Sequence, residues 1–272
     1  MKIGIFDSGY GGLTVLEKII ERLPQYDYVY LGDNARTPYG TRSFEIVYAF
    51  TLQCVKKLFE LDCQIVILAC NTASAKALRT IQQNDLQHIA PNRRVLGVIR
   101  PTAERIGEFT ETNVVGLFGT AGTIQSKSYE LEIAKTFPQI NVIAEPCPMW
   151  VPLIENNFHH TDGADFFVKY HIDNILQKNK DIDAIILGCT HYPLLQDKIR
   201  KYLPEKIKII TQGNITADSF ADYLLRHPEH EKLCSKNGTI EFYTTESPEK
   251  FNSSATIFLQ KKIEAKNFVT IK

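Results

Sequence analysis

The chain has 272 residues, of which 44% are hydrophobic and 23% are charged, the balance of an ordinary globular protein with enough chain for one large domain or two modest ones. Lysine plus arginine and aspartate plus glutamate both number 31, so the formal net charge is zero, which disfavours a nucleic-acid or membrane-surface role that needs a basic excess. The apolar run after Lys2 is too short for a secretory signal, and no stretch approaches the roughly 20 apolar residues that span a bilayer, so we expect a cytoplasmic protein.

In chain order, short apolar runs alternate with amphipathic helical patterns. Runs without polar alternation are typical of strands buried on both faces of a parallel sheet. The predicted strands are Ile3–Phe6, Tyr28–Leu31, Ile65–Ala69, Val95–Ile99, Val114–Phe118, Ala184–Leu187, Ile207–Ile210 and Thr239–Thr244. Apolar stripes predict helices over 15–23, 44–59 and 216–226. This alternation predicts a doubly wound α/β fold.

An internal repeat in the sequence adds to this prediction that the fold has two similar parts. Two pairs of segments resemble each other, 3–8 with 115–120 and 65–72 with 184–191. A cysteine stands at the same place in the second pair, Cys70 in one copy and Cys189 in the other. We therefore predict two similar doubly wound domains with central, mostly parallel sheets, related by pseudo-twofold symmetry.

The domain boundaries follow from the repeat and from the chain that remains after it. We expect a first, discontinuous domain of residues 1–99 plus 212–272 and a second domain of residues 100–211. The linker would lie near Arg100-Pro101, and the active site would lie at the interface of the two domains.

Six cysteines stand at positions 54, 63, 70, 147, 189 and 234. They form neither a Cys-x-x-Cys pair nor a Cys/His cluster with zinc spacing, so no metal site is expected. Disulfides are rare in cytosolic proteins. Cys54, Cys63, Cys147 and Cys234 are interpreted as small buried side chains.

Cys70 and Cys189 each follow a predicted strand and precede a helix start, where ligands bind in open α/β sheets. Asn71, Thr72 and Ser74 are N-cap residue types, and Pro193 suits a first helical position. A helix N-terminus favours a bound carboxylate and lowers the pKa of a nearby thiol from about 8.5.

Two equivalent thiols suit one kind of chemistry. Inversion at a carbon that bears an acidic proton needs a base on one face and an acid on the other, and a thiol serves as either near neutral pH. The glycine-rich turn Gly9–Gly12 lacks the glycine at position 14 that a dinucleotide fingerprint requires, and no nucleotide is expected.

Several polar residues are candidates to support the thiols. Asp7 and Ser8 end the first strand, where the carboxylate would accept a hydrogen bond from a thiol or a substrate ammonium group, or cap the next helix. His191 would orient or deprotonate Cys189. Glu155 is a candidate second carboxylate, although a solvated glutamate at a helix end is an equally simple interpretation. The remaining histidines, including His159 and His160, are interpreted as surface residues.

The turn that contains Tyr39 and Gly40 follows the second strand near the same rim. Its backbone N–H groups would bind a carboxylate. From spacing alone, an ordinary turn is the simpler interpretation.

Taken in order along the whole chain, these motifs resemble those of bacterial glutamate racemases, members of the aspartate/glutamate racemase family. The motifs are Asp7-Ser8-Gly9, Pro38-Tyr39-Gly40, Ala69-Cys70-Asn71-Thr72-Ala73-Ser74 and Gly188-Cys189-Thr190-His191-Tyr192-Pro193-Leu194-Leu195. The two cysteine motifs are specific together. The resemblance implies a cofactor-independent enzyme that interconverts L- and D-glutamate and supplies D-glutamate for peptidoglycan, commonly as a homodimer.

The same resemblance implies a role for each matching residue. Cys70 and Cys189 would be the two catalytic acid/base residues, with Asp7 assisting Cys70 and with Glu155 and His191 assisting Cys189. The substrate would be held by Asp7, Ser8, Tyr39, Gly40, Asn71, Thr72, Thr190 and His191, with Thr120 and Thr123 as further candidates. The family more often has a small aliphatic residue where this chain has Tyr10, which bears on access to the pocket rather than on the chemistry.

Three alternatives stay open at this point. One is a racemase of aspartate or another amino acid, because discriminating one methylene is worth only about 1–3 kcal/mol and is not visible in local motifs. Another is a non-catalytic binding protein for a small acid. The third is a thiol redox protein with a Cys70–Cys189 disulfide.

Overall fold

The computed structural model describes residues 1–259 and 267–271, and it contains two parallel β-sheets. The larger sheet has the strand order β10-β9-β2-β1-β3-β4. Its strands are β1 (Lys2–Asp7), β2 (Tyr28–Gly32), β3 (Cys63–Leu68), β4 (Arg94–Gly97), β9 (Ile240–Thr244) and β10 (Asn267–Phe268). We call the part of the molecule built on this sheet the first half.

The smaller sheet has the strand order β6-β5-β7-β8 and defines the second half. Its strands are β5 (Val114–Gly119), β6 (Asn141–Pro146), β7 (Ala184–Gly188) and β8 (Lys208–Ile210). All the described strand pairs in both sheets are parallel, so the predicted α/β class with parallel sheets is confirmed. Strand β6 was not predicted, because most of this edge strand is exposed or half-buried and carries polar residues.

Helices connect the strands and cover the sheets. They are α1 (Leu13–Arg22), α2 (Phe44–Glu60), α3 (Asn71–Lys76), α4 (Leu78–Thr80), α5 (Leu86–Ile89), α6 (Ile99–Arg105), α7 (Ala121–Gln125), α8 (Ser128–Thr136), α9 (Trp150–Glu155), α10 (Asp162–Lys178), α11 (Gln196–Tyr202), α12 (Gln212–Arg226), α13 (Pro228–Glu231) and α14 (Pro248–Leu259). A π-helical turn covers Ile81–Asp85, and 3₁₀ turns cover Ile106–Glu108 and Tyr192–Leu195. Within the described residues, none of these helices combines the length and the apolar character needed to cross a membrane.

The central strands are formed by the apolar runs of the sequence. Every residue of β3 and of β7 is buried, because helices cover both faces of each sheet. The chain alternates between strand and helix, and the amphipathic helix α1 turns Leu13, Leu16 and Ile19 toward the core. Burial on both faces is therefore the reason why these strands were visible in the sequence.

The chain passes between the halves twice, through α6 after β4 and through α12 after β8. Arg100 and Pro101, where a linker was expected, lie inside α6, so this crossing is a helix rather than an open loop. The side chain of Gln212, at the start of α12, donates to the carbonyl of Val98 at 3.1 Å and to the hydroxyl of Thr102 at 3.2 Å. This buried contact ties the two crossings together.

The internal repeat corresponds to equivalent positions in the two sheets. β1 pairs with β3 and β5 pairs with β7, so the two segments of each copy of the repeat form adjacent central strands of one sheet. Cys70 follows the end of β3 by two residues, and Cys189 follows β7 directly. Both cysteines therefore lie at carboxyl ends of central parallel strands, where ligands bind in open α/β sheets.

Candidate active site

Both thiols line one narrow cavity between the halves. Its lining residues are Ser8, Thr37, Pro38, Tyr39, Gly40, Cys70, Asn71, Thr72, Thr120, Val151, Cys189, Thr190 and His191. The space open to the centre of a water molecule is about 40 Å³, so the cavity suits a small molecule. Val151 is a wall residue that the sequence analysis did not single out.

Cys70 is the N-cap of α3, and its sulfur accepts the backbone N–H of Ala73 at 3.4 Å. The expected capping residues Asn71, Thr72 and Ser74 lie inside the helix instead. The Ser8 hydroxyl lies 3.3 Å from the same sulfur. A backbone N–H and a hydroxyl thus both point at this thiol.

Burial raises the pKa of the Cys70 thiol to about 12, and the negative charge of Asp7 acts in the same direction. The hydrogen bonds from Ser8 and Ala73 favour the thiolate and oppose this rise. Because burial and the Asp7 charge are the stronger influences, Cys70 is a neutral thiol near pH 7.

Asp7 lies behind the cavity wall and is only 1% exposed. Its carboxylate accepts the backbone N–H groups of Gly9 at 2.9 Å and of Gly12, which precedes α1. The Thr190 hydroxyl donates to it from the second half at 3.4 Å. Burial raises the Asp7 pKa, while the nearby His191 and the two N–H donors act to lower it. The carboxylate therefore orders the loop 8–12 and also places charge near Cys70.

Cys189 begins a chain of three buried or half-buried polar groups. Its sulfur lies 3.8 Å from Nδ1 of His191, and Nε2 of the same ring lies 3.0 Å from Oε1 of Glu155. Glu155, the last residue of α9, thus contacts a functional side chain rather than solvent alone. A carboxylate on one ring nitrogen fixes the orientation of the imidazole and its protonation.

The imidazole of His191 is 4% exposed. Burial by itself lowers the His191 pKa, but the hydrogen bonds and negative charges of Cys189 and Glu155 outweigh it and raise the pKa to about 10. At neutral pH the imidazole is therefore cationic.

Three threonine hydroxyls meet beside the cavity, and two of them, of Thr72 and Thr120, belong to residues that line it. Thr72 of α3 lies 2.9 Å from Thr120 and 3.3 Å from Thr123, which belong to the second half. Thr120 is the N-cap of α7 and accepts the backbone N–H of Thr123 at 3.2 Å. Hydroxyls beside two helix starts suit a carboxylate group.

Gly40 and Gly122 bring the halves into contact beside these hydroxyls. The backbone N–H of Gly122 donates to the carbonyl of Gly40 at 2.8 Å. A Cβ at Gly40 would lie 2.8 Å from the Cβ of Thr120, which real side chains do not tolerate. Glycine is required at position 40 because two segments of the chain, one from each half, approach this closely.

Tyr39 lines the cavity, but its phenol is directed away from it. The hydroxyl donates to Asp33, a fully buried carboxylate that also pairs with Arg36 at 2.7 Å. Burial raises the Tyr39 pKa well above its usual value. The backbone of the 39–40 turn, rather than the phenol, is thus the part available to a ligand.

Asn71 also lines the cavity, and its amide is engaged in a buried network. The Asn71 amide donates to Gln212 at 2.6 Å and accepts the Tyr129 hydroxyl at 2.6 Å. Gln212 in turn donates to Tyr129 at 2.6 Å. Neither Gln212 nor Tyr129 was a candidate from the sequence, because their partners are more than 50 residues away.

The other four cysteines are buried outside the cavity lining, in agreement with their interpretation as core residues. The histidines are a different matter. His159, His171 and His230 were expected on the surface, yet they are only 5%, 5% and 6% exposed. His171 is held by Glu145 at 2.8 Å, a partner 26 residues away that the local sequence does not reveal. Among the described residues, no group of three or more His, Cys, Asp or Glu side chains is arranged to hold a metal ion.

Comparisons with known proteins agree on one family. The family model described as Asp/Glu/Hydantoin racemase matches residues 3–219. A curated protein named glutamate racemase from Roseobacter denitrificans is 41% identical over 97% of this chain and 98% of its own length. The chain belongs to this racemase family, and the resemblance noted in the sequence is confirmed.

Solved structures give the same result for the fold. A glutamate racemase isoform from Bacillus anthracis superposes with a TM-score of 0.89 at 36% identity, over 99% of this chain and 97% of that one. A glutamate racemase from Francisella tularensis, solved with D-glutamate, has a TM-score of 0.85 at 34% identity, over 100% of this chain and 97% of that one. The chain is therefore an amino-acid racemase in fold and family.

Proposed function

We propose that this protein is a glutamate racemase that inverts the α-carbon of glutamate with Cys70 and Cys189 as the two proton-transfer residues. The observation that carries the proposal is that these two thiols, from equivalent strand ends of the two halves, line one small cavity. The choice of glutamate is supported by the named activity of the relatives that match nearly the full chain.

The reaction needs one thiolate and one thiol. The thiolate removes the α-hydrogen as a proton, so that the C–H bond breaks, an S–H bond forms and the electron pair is left on the α-carbon and its carboxylate. The second thiol then gives its proton to the opposite face of the carbon. The two cysteines end with exchanged protonation states, and the reverse reaction follows the same path.

The two environments suggest the resting state. Cys70, whose pKa is raised to about 12, would rest as the acid. Cys189 would exchange its proton with the help of the His191 imidazole, which lies beside its sulfur and is itself held by Glu155. Glu155 and His191 would support Cys189, and Asp7 would support Cys70 through its charge and the loop that it orders.

The remaining lining groups would hold the substrate. We expect the backbone of Tyr39 and Gly40 and the hydroxyls of Thr72 and Thr120 to bind a carboxylate, because they converge on one wall. Ser8 and Asp7 lie near Cys70 and suit the ammonium group. The full proposed substrate set is Asp7, Ser8, Tyr39, Gly40, Asn71, Thr72, Thr190 and His191, with Thr120 and Thr123 as further members.

The biological setting is part of the same proposal. A glutamate racemase of this family would supply D-glutamate for peptidoglycan in the cytoplasm, without a cofactor, and as a homodimer. The division into residues 1–99 plus 212–272 and 100–211, with the active site between them, stays our domain proposal. It is supported by the two sheets and by the two helical crossings.

The test is incubation of the purified protein with D-glutamate in deuterated water, with a chelator and without added cofactor. Optical activity and the α-proton NMR signal are followed together. We expect both signals to decay, because each inversion replaces the α-hydrogen from solvent. Reaction with D-aspartate instead would overturn the substrate assignment. Absence of exchange with every amino acid would favour a binding protein, and a Cys70–Cys189 disulfide found by mass spectrometry would favour a redox protein.

A further inference from the structure

The imidazole of His191 belongs to the second half, but groups of the first half enclose it. The loop that contains Gly11 passes so close that a Cβ there would lie 2.4 Å from Nδ1 of the ring. On another side, the Phe258 ring of α14 meets the imidazole at right angles, with the ring centroids 5.2 Å apart. The C-terminal helix therefore contacts a group that hydrogen-bonds Cys189.

Phe258 is itself fixed by an aromatic cluster. Tyr10 stacks on Phe258 with centroids 6.0 Å apart and also contacts Phe251 of the same helix at 5.5 Å. Phe258 is 6% exposed and Phe251 is fully buried. Tyr10, the residue that departs from the family pattern, thus joins α14 to the loop beside His191.

We propose that Phe258 is a positioning residue for His191 and, through it, for proton transfer at Cys189. This role rests on the proposed two-thiol racemisation. The His191 ring has to direct one nitrogen to the sulfur and the other to Glu155 at the same time. An edge-to-face ring contact limits rotation of the imidazole and keeps water from it.

Cys70 is held in a different way. Its contacts are the Ser8 hydroxyl and the backbone of Ala73, both within the first half. Phe258 should consequently affect one of the two proton transfers and leave the other unchanged. This one-sidedness separates a positioning role from a general loss of stability.

The kinetic test uses Phe258→Leu and, in case that variant folds poorly, Phe258→Met, which keeps more of the volume without the ring. Phe251→Leu is the matched control, because Phe251 is on the same helix and packs on Tyr10 and Tyr30. We expect kcat/KM to fall about two- to tenfold in the Phe258 variants. The fall is equal in both directions, since two enantiomers have equal free energies in water.

Isotope effects supply the directional readout. Glutamate deuterated at the α-carbon is used in each direction, so that each measurement reports removal of the hydrogen by one of the thiols. In the Phe258 variants the step at Cys189 becomes slower, so the isotope effect should rise in the direction where Cys189 removes the hydrogen. In the other direction Cys70 removes the hydrogen and the slow step comes afterwards, so the isotope effect should approach unity. His191→Gln identifies that direction. Equal changes in both directions, or the same asymmetry in Phe251→Leu, would overturn the proposal.

A second readout does not depend on turnover. With ¹⁵N-labelled histidine, the imidazole N–H signal of His191 is assigned by its loss in His191→Gln. We expect faster exchange of this proton with water in Phe258→Leu and the parent rate in Phe251→Leu. An unchanged exchange rate in Phe258→Leu would overturn the positioning role. If the parent protein does not racemise glutamate, the proposed function fails, while this measurement still decides whether Phe258 holds the ring.

Discussion

The two thiols occupy equivalent places in the two halves, yet their surroundings differ. Cys70 caps a helix and contacts the Ser8 hydroxyl, with the buried carboxylate of Asp7 behind it. Cys189 contacts an imidazole that is held by Glu155. One thiol therefore has a negative charge nearby, and the other has a positive one.

A repeated backbone therefore fixes where two groups lie but does not fix how they ionise. Equal positions at strand ends allow the thiols to face one substrate from two sides. Unequal neighbours give the two thiols different surroundings, since the carboxylate of Asp7 raises the pKa of the Cys70 thiol while Cys189 contacts the His191 imidazole. Substitutions at and around the two thiols test whether their surroundings differ in this way.

The largest effect should come from removing either thiol. We expect Cys70→Ser and Cys189→Ser each to lower racemisation by about 10³-fold or more, because a hydroxyl is a far weaker acid and general acid–base groups contribute about 10²–10⁴-fold. The optical-activity assay with D- and L-glutamate measures this. Cys234→Ser, a change at a buried cysteine outside the cavity, is the control and should keep the parent activity. Near-parent racemisation by Cys70→Ser or Cys189→Ser would show that proton transfer does not need both thiols.

The next largest loss of activity should come from Gly11→Ala, where the loop 8–12 of the first half passes the His191 ring of the second half. The new Cβ would lie 2.3 Å from the Thr190 hydroxyl and 2.4 Å from His191 Nδ1, so the loop and the ring must separate. A displacement of about 1 Å at a catalytic group costs about 10²-fold in rate. Gly163→Ala is the control, since its nearest neighbour is a Thr161 hydroxyl at an ordinary 3.6 Å. Equal activities of the two variants would show that this close approach is not needed.

Smaller effects should follow from neutralising the two carboxylates, each of which raises the pKa of a different neighbour. Glu155→Gln removes a charge that favours the imidazolium, so the His191 pKa should fall from about 10. Asp7→Asn removes a charge that opposes the thiolate, so the Cys70 pKa should fall from about 12. Histidine NMR titration and the pH dependence of Cys70 alkylation measure these shifts, and we expect activity losses of about tenfold in each variant.

Each variant is the control for the other. Glu155→Gln should leave the alkylation profile of Cys70 close to that of the parent, and Asp7→Asn should move the His191 titration less than Glu155→Gln does. If both variants shifted the pKa of both His191 and Cys70, the two thiols would not have separate electrostatic surroundings.

The sequence predicted the parts of the fold that are buried on both faces. Strands such as β3 and β7 are continuous apolar runs because helices cover them on either side. The half-exposed edge strand β6 has no such run and was missed. The repeat also located Cys70 and Cys189, because two cysteines in one repeated context are unusual for core residues.

The sequence could not predict contacts between residues far apart along the chain. Glu155 lies 36 residues before His191, and its pairing depends on how α9 packs beside the end of β7. The contact of Phe258 with the same imidazole joins the last described helix to the other half. Gln212 and Tyr129 escaped notice for the same reason. Such contacts set the charges of the site, which is why the sequence located the thiols without assigning their resting states.

The last predicted effect concerns stability rather than activity, and it tests the surroundings of Cys189 alone. The His191 pKa is raised to about 10 in the folded protein, whereas an unfolded histidine titrates near about 6.5. A raised folded pKa stabilises the protein fully below about pH 6.5, and this contribution disappears as the pH rises through about 10. The free energy of unfolding should therefore decline across this window, by an amount on the order of a few kcal/mol. Urea unfolding of the parent and of His191→Gln at pH 6.5, 8 and 10 isolates the contribution, because the raised thiol pKa of Cys70 acts in both proteins. A flatter decline in His191→Gln is expected, and parallel curves would mean that the imidazole is not held as a cation between Cys189 and Glu155.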